Sequence, residues 1–162
     1  MKTTVYHGAT QIVEAHICSI GRTKLDFGQG FYVTDLKEQA VKWAISLADK
    51  RKEKPVLNIY QLDRDSILAE ARCKIFKAYD KEWLDFIVAN RNGQDVAQSY
   101  DYIEGGIAND RVIDTVKLYM TGFYTAEMAL AQLAYHKPNN QIYILNQELV
   151  NKYLVYDGTE EI

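Results

Sequence analysis

Hydrophobic positions along this chain switch repeatedly between two periods. Val56–Leu62 (VLNIYQL) alternates apolar and polar residues, the period-two signature of a half-buried strand. Just before it, Leu36–Ala48 repeats apolar residues at helical spacing through Ala40, Val41, Ala44, Ile45 and Ala48, with Trp43 beside them. Asp35 stands where that helix needs an N-cap, and Glu38 three residues on has the spacing of a capping box. Thr3–His7 (TTVYH) is β-branched and aromatic and reads as an opening strand ending at Gly8. Lys81–Asn90 reads as a helix capped by Asp80, Val112–Met120 as one ended by Gly122, and Ala126–Tyr135 as one capped by Thr125. Asn146–Lys152 makes a further short helix, and Asp63–Ala71 a turn with a short helical piece. Further short strands fall at Cys73–Phe76, Tyr100–Ile107, Gln141–Leu145 and Tyr153–Tyr156, and the acidic tail 157–162 is expected to fray.

Short strands with irregular connections do not make the even alternation of a doubly wound parallel sheet. The expected class is α+β, with a small, mostly antiparallel core and helices packed outside it. Only two prolines and no Ser/Gly-rich tether interrupt the 162 residues, so one domain is expected over 1–162.

Composition narrows the function classes. A net charge of −3 offers no broad attraction to nucleic acid or anionic lipid. The basic run Lys50-Arg51-Lys52 is interleaved with Asp49 and Glu53 and reads as a solvated helix end. No apolar run is long enough to span a bilayer, and MKTTVYHG lacks the apolar stretch of a secretory leader, so no membrane partner and a cytoplasmic location are expected. Cys18 and Cys73 are expected as free thiols, and with His7, His16 and His136 they form no metal-ligand spacing.

The candidate chemistry gathers at Leu25–Asp35 (LDFGQGFYVTD) and at Tyr6-His7-Gly8. Gly28 and Gly30 let the backbone turn or approach a ligand with no Cβ in the way. Phe31, Tyr32, Val33 and Thr34 have strand chemistry, so a tight loop would feed a strand that presents Tyr32 at its start. A rigid ring beside bare backbone suits a flat ligand. The structural reading of the same residues is a plain turn into two core aromatics. A second polar cluster, Ala108-Asn109-Asp110-Arg111, follows the Tyr100–Ile107 strand, a place where sites often sit.

Together these residues carry a resemblance. YHG on a first strand, then FGQGFYVTD leading into an Ala-rich helix, resembles the signature of ADP-ribosyltransferases of the diphtheria-toxin and poly-ADP-ribose-polymerase type. YHG, GRTKLDFGQGFYVT, KEWLDFIVANR, DYIEGGIAND and QIYIL also resemble the recurring pieces of a bacterial family catalogued as domain of unknown function 3990. The resemblance implies a split antiparallel β-sheet core with peripheral helices and a site for NAD. It implies that His7 bonds a hydroxyl of the adenine-side ribose, that Gly8 offers backbone groups to the nicotinamide amide, and that Tyr32 stacks on the nicotinamide ring. Arg22 would pair with the pyrophosphate, since a guanidinium matches phosphate oxygens. Gly30 and Asn109 complete the expected cofactor-binding set.

The implied reaction moves ADP-ribose from NAD to a protein or nucleic-acid acceptor, in the setting of a toxin or effector with a cognate antitoxin. Its oxocarbenium-like centre calls for a nearby carboxylate, which the resembled enzymes supply as a glutamate near the start of a late strand. This chain has Gln141 there, and a carboxamide hydrogen-bonds a ribose hydroxyl but carries no charge. Asp110 is the first candidate for the missing charge, Glu104 a weaker one, and Glu148 is expected to face solvent. Tyr32, Gln141 and Asp110 form the expected catalytic set. A module that binds NAD or ADP-ribosylated ligands without catalysis stays open beside the enzyme, as does an interaction protein with the fold and no nucleotide site.

Overall fold

The computed structural model describes residues 2–15, 30–94, 96–106, 108, 112–136 and 140–162. Its strands are β1 (Thr3–Ala9), β2 (Phe31–Val33), β3 (Val56–Leu62), β4 (Cys73–Ile75), β5 (Tyr102–Gly105), β6 (Gln141–Ile144) and β7 (Leu154–Glu161). Its helices are α1 (Lys37–Arg51), α2 (Arg64–Glu70), α3 (Lys81–Arg91), α4 (Ile113–Met120), α5 (Ala126–Leu133) and α6 (Gln147–Tyr153). The class is α+β. The strands form a three-stranded sheet in the order β1-β3-β7 and a four-stranded sheet in the order β2-β6-β5-β4.

The first sheet is antiparallel throughout and the second is mixed: the core is mostly antiparallel, as expected, while the antiparallel split sheet implied by the resemblance is corrected at the β4–β5 pair. β4 and β5 run parallel, from Cys73↔Tyr102 to Ile75↔Glu104. The chain between them passes through α3, and a crossover of that kind is what parallel neighbours require. The tail is corrected as well. Residues 157–161 do not fray but continue β7 as far as Glu161, paired to β3 up to Val56↔Glu161. An edge strand needs only a partner with open backbone groups, and β3 supplies it whatever the side chains.

Two buried clusters lie on opposite faces of the four-stranded sheet. Phe31, Val33, Tyr102, Ile142 and Ile144 face one way, onto Val5, Tyr60 and Leu62 of the first sheet and onto α2 and α6. Ile103 and Tyr143 face the other way, onto Trp83, Leu84 and Ile87 of α3 and onto α4 and α5. Asp80 caps α3 by accepting from the Trp83 N–H at 2.8 Å, and Thr125 caps α5 by accepting from the Met128 N–H at 3.2 Å.

Helix α1 departs from its expected form in two ways. Asp35 does not cap it: the N-cap is Leu36, with no side-chain cap bond. Thr34 is held to β1, so the chain runs one residue further before it turns. The Thr34 hydroxyl accepts from the Leu36 N–H at 3.1 Å, and the Asp35 carboxylate is taken by Asn140 Nδ2 at 2.7 Å. The buried stripe is also narrower than the apolar pattern implies. Ala40, Ala44 and Ala48 are buried, while Trp43 and Ile45 are 49% and 41% exposed. Gly8 explains this. A methyl group there would lie 2.1 Å from the Ala40 carbonyl oxygen and 2.9 Å from the Ala44 nitrogen. The helix backbone rests directly on β1, and only alanine fits along that line of contact.

Candidate functional site

Among the described residues, one β-bridge joins the backbones of the two sheets, between β1 and the end of β2. Tyr6 N–H donates to the Thr34 carbonyl at 2.8 Å, and Thr34 N–H donates to the Tyr6 carbonyl at 3.0 Å. Extended by two residues, this ladder would set Gly8 against Tyr32. Instead the His7 side chain takes the Tyr32 carbonyl oxygen, with Nδ1 at 2.7 Å. Backbone groups of successive strand residues point alternately to the two edges. Tyr6 faces β2, so Gly8 N–H and C=O also face the β2 side, where the sheets part.

The imidazole state follows from that contact. A carbonyl oxygen only accepts, so Nδ1 carries the hydrogen and Nε2 is the acceptor atom of the neutral ring. Burial pushes the His7 pKa below the ordinary histidine value, against the smaller opposing effect of the bond to Tyr32. The neutral ring is therefore the favoured form at neutral pH.

Strand alternation distributes the side chains. The His7 ring lies on the Phe31 side, with ring centroids 4.6 Å apart. The Tyr32 ring leaves the opposite face of β2 and packs on Tyr143, its cross-strand partner on β6, with centroids 3.9 Å apart and planes tilted by 31°. Gln141, two residues before Tyr143, shares the Tyr32 face. His7, Tyr32 and Gln141 thus sit on three neighbouring strands. The sequence reading expects the two rings in one groove, whereas the structure joins them through a backbone carbonyl, with Tyr32 and Gln141 on one side and the His7 ring on the other.

Gly30 is buried. A methyl group there would lie 2.6 Å from the Ile144 carbonyl oxygen and 3.0 Å from the Tyr143 ring. Its bareness, like that of Gly8, lets elements of this fold approach each other closely. Gly28, Arg22, Asn109, Asp110 and Cys18 lie outside the described residues.

Gln141 stands in a neutral polar network. Gln39 of α1 donates from Nε2 to Gln141 Oε1 at 2.6 Å and to the Asn140 carbonyl at 3.2 Å. The Thr34 hydroxyl donates to the same carbonyl at 2.6 Å. Nothing local in the sequence marks Gln39 or Thr34, because their partners lie a hundred residues away.

Of the carboxylates weighed for the missing charge, Glu104 and Glu148 are among the described residues. Glu104 points to the opposite face from Gln141. It accepts from Arg64 Nε at 2.6 Å and Nη2 at 2.9 Å, and from the Tyr102 hydroxyl. The bond from Arg64 holds its guanidinium firmly protonated, and burial pushes the Tyr102 hydroxyl well above the phenol range. Glu148 is exposed in the first turn of α6, as expected.

On the His7 face, the buried Asn58 is opposite His7 in the β1–β3 register. Its side chain accepts from the Val13 N–H at 2.9 Å and donates to the Gln11 carbonyl at 3.0 Å, while the Tyr60 hydroxyl donates to the Val13 carbonyl at 2.6 Å. The chain leaving β1 is thereby folded back over this face. The signal in the sequence is an asparagine in the middle of an apolar strand, a local inconsistency of the kind that marks a site.

The model of a family described as Protein of unknown function (DUF3990) matches residues 3–156. No curated protein and no solved structure matches the chain. Among the described residues, no helix is long and apolar enough to cross a membrane.

Proposed function

The chain belongs to the family described as Protein of unknown function (DUF3990), and from that premise we propose that it binds NAD at the β1–β2 junction and transfers ADP-ribose to a macromolecular acceptor. The observation that carries this reading is the His7–Tyr32 contact at the point where the sheets part. It brings the two motifs together although they are 25 residues apart. It also supports a split-sheet fold of the ADP-ribosyltransferase type, with the opening at His7-Gly8.

In this reading His7 accepts a ribose hydroxyl at Nε2, and Gly8 offers its N–H and C=O to the carboxamide of the nicotinamide. Tyr32 stacks on the nicotinamide ring, its tilt fixed by Tyr143 behind it. The C1′–N bond of the nicotinamide riboside breaks with its electron pair leaving on the nicotinamide, and an acceptor nucleophile forms the new bond at C1′. Asp110 is the proposed carboxylate for that centre, Arg22 the proposed partner of the pyrophosphate, and Asn109 a further proposed cofactor-binding residue. The acceptor is a protein or nucleic acid, and a cognate antitoxin is the proposed partner.

A second reading has its own observation. Gln141 is neutral and already bonded to Gln39, which favours a module that holds NAD or ADP-ribose without catalysis. Thermal melting with NAD tests both readings against a protein with no nucleotide site. NAD is expected to raise Tm, and His7→Ala or Tyr32→Ala to abolish the rise; an unmoved Tm at millimolar NAD overturns both. Labelled NAD added to cell lysate then separates them. Transfer of label that is lost in Asp110→Ala and kept in Glu148→Ala supports the enzyme, and binding with neither transfer nor hydrolysis supports the module.

A further inference from the structure

Gln39 belongs to α1 and Gln141 to β6, and no local motif marks Gln39. Their contact nevertheless has a defined polarity. Oxygen and nitrogen of a carboxamide are distinguished by their partners. The Asn140 main-chain carbonyl only accepts, so the Gln39 atom 3.2 Å from it is the nitrogen. That same nitrogen lies 2.6 Å from Gln141, so the Gln141 atom it meets is the oxygen. The nitrogen of Gln141 is then the atom turned away from α1. The Thr34 hydroxyl also donates to the Asn140 carbonyl at 2.6 Å, and Asn140 is itself tied to Asp35, so the reference carbonyl is fixed.

We infer that Gln39 is a positioning residue that holds the Gln141 carboxamide with its N–H groups outward, so that this subsite takes an oxygen acceptor of the ligand. Within the NAD reading, on which the identity of the ligand rests, that acceptor is a hydroxyl oxygen of the ribose next to the nicotinamide. The polarity itself rests only on the Gln39, Asn140 and Gln141 geometry. The same geometry accommodates a carboxylate at position 141, because Gln39 donates to a carboxylate oxygen as it does to a carboxamide oxygen. Exchanging the polarity at position 39 has the opposite consequence. A carboxylate there accepts only. It repels the Asn140 carbonyl and forces Gln141 to turn its nitrogen inward.

The full chain is tested by melting Gln141→Glu and Gln39→Glu without ligand and then with NAD. Without ligand, Q141E is expected within about 1 °C of the unaltered protein, and Q39E about 2–4 °C lower, from the unmade bond and the facing oxygens. The reverse ranking, or equal losses, overturns the assignment. With NAD, the rise in Tm seen for the unaltered protein is expected to vanish in Q39E and to persist in the exposed neighbour variant Glu38→Gln; a full rise in Q39E overturns the positioning role. No rise in the unaltered protein counts against NAD alone, since the ranking is read without it. Should Q39E not fold, side-chain amide hydrogen exchange in the unaltered protein decides the matter: Gln39 is expected to exchange more slowly than Gln141, and the opposite order overturns the polarity.

Discussion

Two polar clusters flank the four-stranded sheet, one on each face, and they are built on opposite principles. On the first, Glu104 is buried and meets Arg64 through both carboxylate oxygens, with the Tyr102 hydroxyl added. On the second, Thr34, Gln39, Asn140 and Gln141 are joined by neutral hydrogen bonds, and Gln39 and Gln141 remain half-buried. Glu104 and Ile142 are cross-strand partners, so the two clusters are neighbours separated only by the pleat. The buried carboxylate of Glu104 is committed to holding α2 on the sheet, and the Gln141 side chain, on the Tyr32 side, is uncharged. A strand's period of two makes the sorting absolute: Glu104 reaches the Gln141 face only if the register slips by a residue.

The most severe way to break this contrast is at the charged cluster. Arg64→Met removes the bidentate partner and leaves a buried carboxylate with a single phenol. Loss of one member of a buried pair costs about 3–5 kcal/mol, and partial exposure of the Arg64 side chain brings the expectation to about 2–4 kcal/mol. Urea unfolding measures it. The rise in Tm produced by NAD, read on the variant's own baseline, is expected to be unchanged. A variant as stable as the parent would mean that Glu104 is not committed to the fold.

The junction side breaks by sterics rather than by charge. Gly8→Ala drives a methyl group into the backbone of α1, 2.1 Å from the Ala40 oxygen, where no side chain can yield. The expected loss is about 1–3 kcal/mol, since α1 must lift from β1. It can be followed by the same urea titration and by faster amide exchange at Ala40 and Ala44. Equal stability would show that the contact is looser than the geometry requires. It would return Gly8 to the role of a residue kept bare for a ligand alone.

The sequence made local features legible and left remote ones hidden. β3 is read with its observed limits, Val56–Leu62, because alternation is carried by the strand itself. The caps at Asp80 and Thr125 are likewise set within three residues of chain. Asp35 has the same local signature but is captured by Asn140, 105 residues later. Ile45 has the helical spacing of a core residue, yet Gly8 brings the helix so close that only alanines fit beneath it. At the site, the pairing of the YHG and FYV stretches was visible as two motifs in order. That the rings leave opposite faces follows from the Tyr6↔Thr34 register, which neither motif encodes.

The subtlest effect is a response to pH at the junction of the two sheets, and His7, which belongs to neither cluster, carries it. Burial lowers the folded-state pKa of His7 below its ordinary value of 6.5. The unfolded chain therefore binds a proton more readily than the folded one. By linkage, the stability that His7 contributes is complete above about pH 6.5 and is lost as pH falls from there through the folded pKa. The Asp101 carboxyl, by contrast, is held below its ordinary 3.8, chiefly by its bond from Arg72, so its contribution is lost only in a more acid range. His7→Asn keeps an N–H able to reach the Tyr32 carbonyl but does not titrate. Unfolding free energies of the parent and His7→Asn, compared between pH 7.5 and 5.5, should diverge as pH falls, the parent losing more, by at most about 1.4 kcal/mol per pH unit. Parallel curves would mean that the imidazole is charged as easily in the fold as in water. Below about pH 6.5 the junction would then present a cation, and a ribose hydroxyl would have to accept a hydrogen bond from His7 rather than donate one.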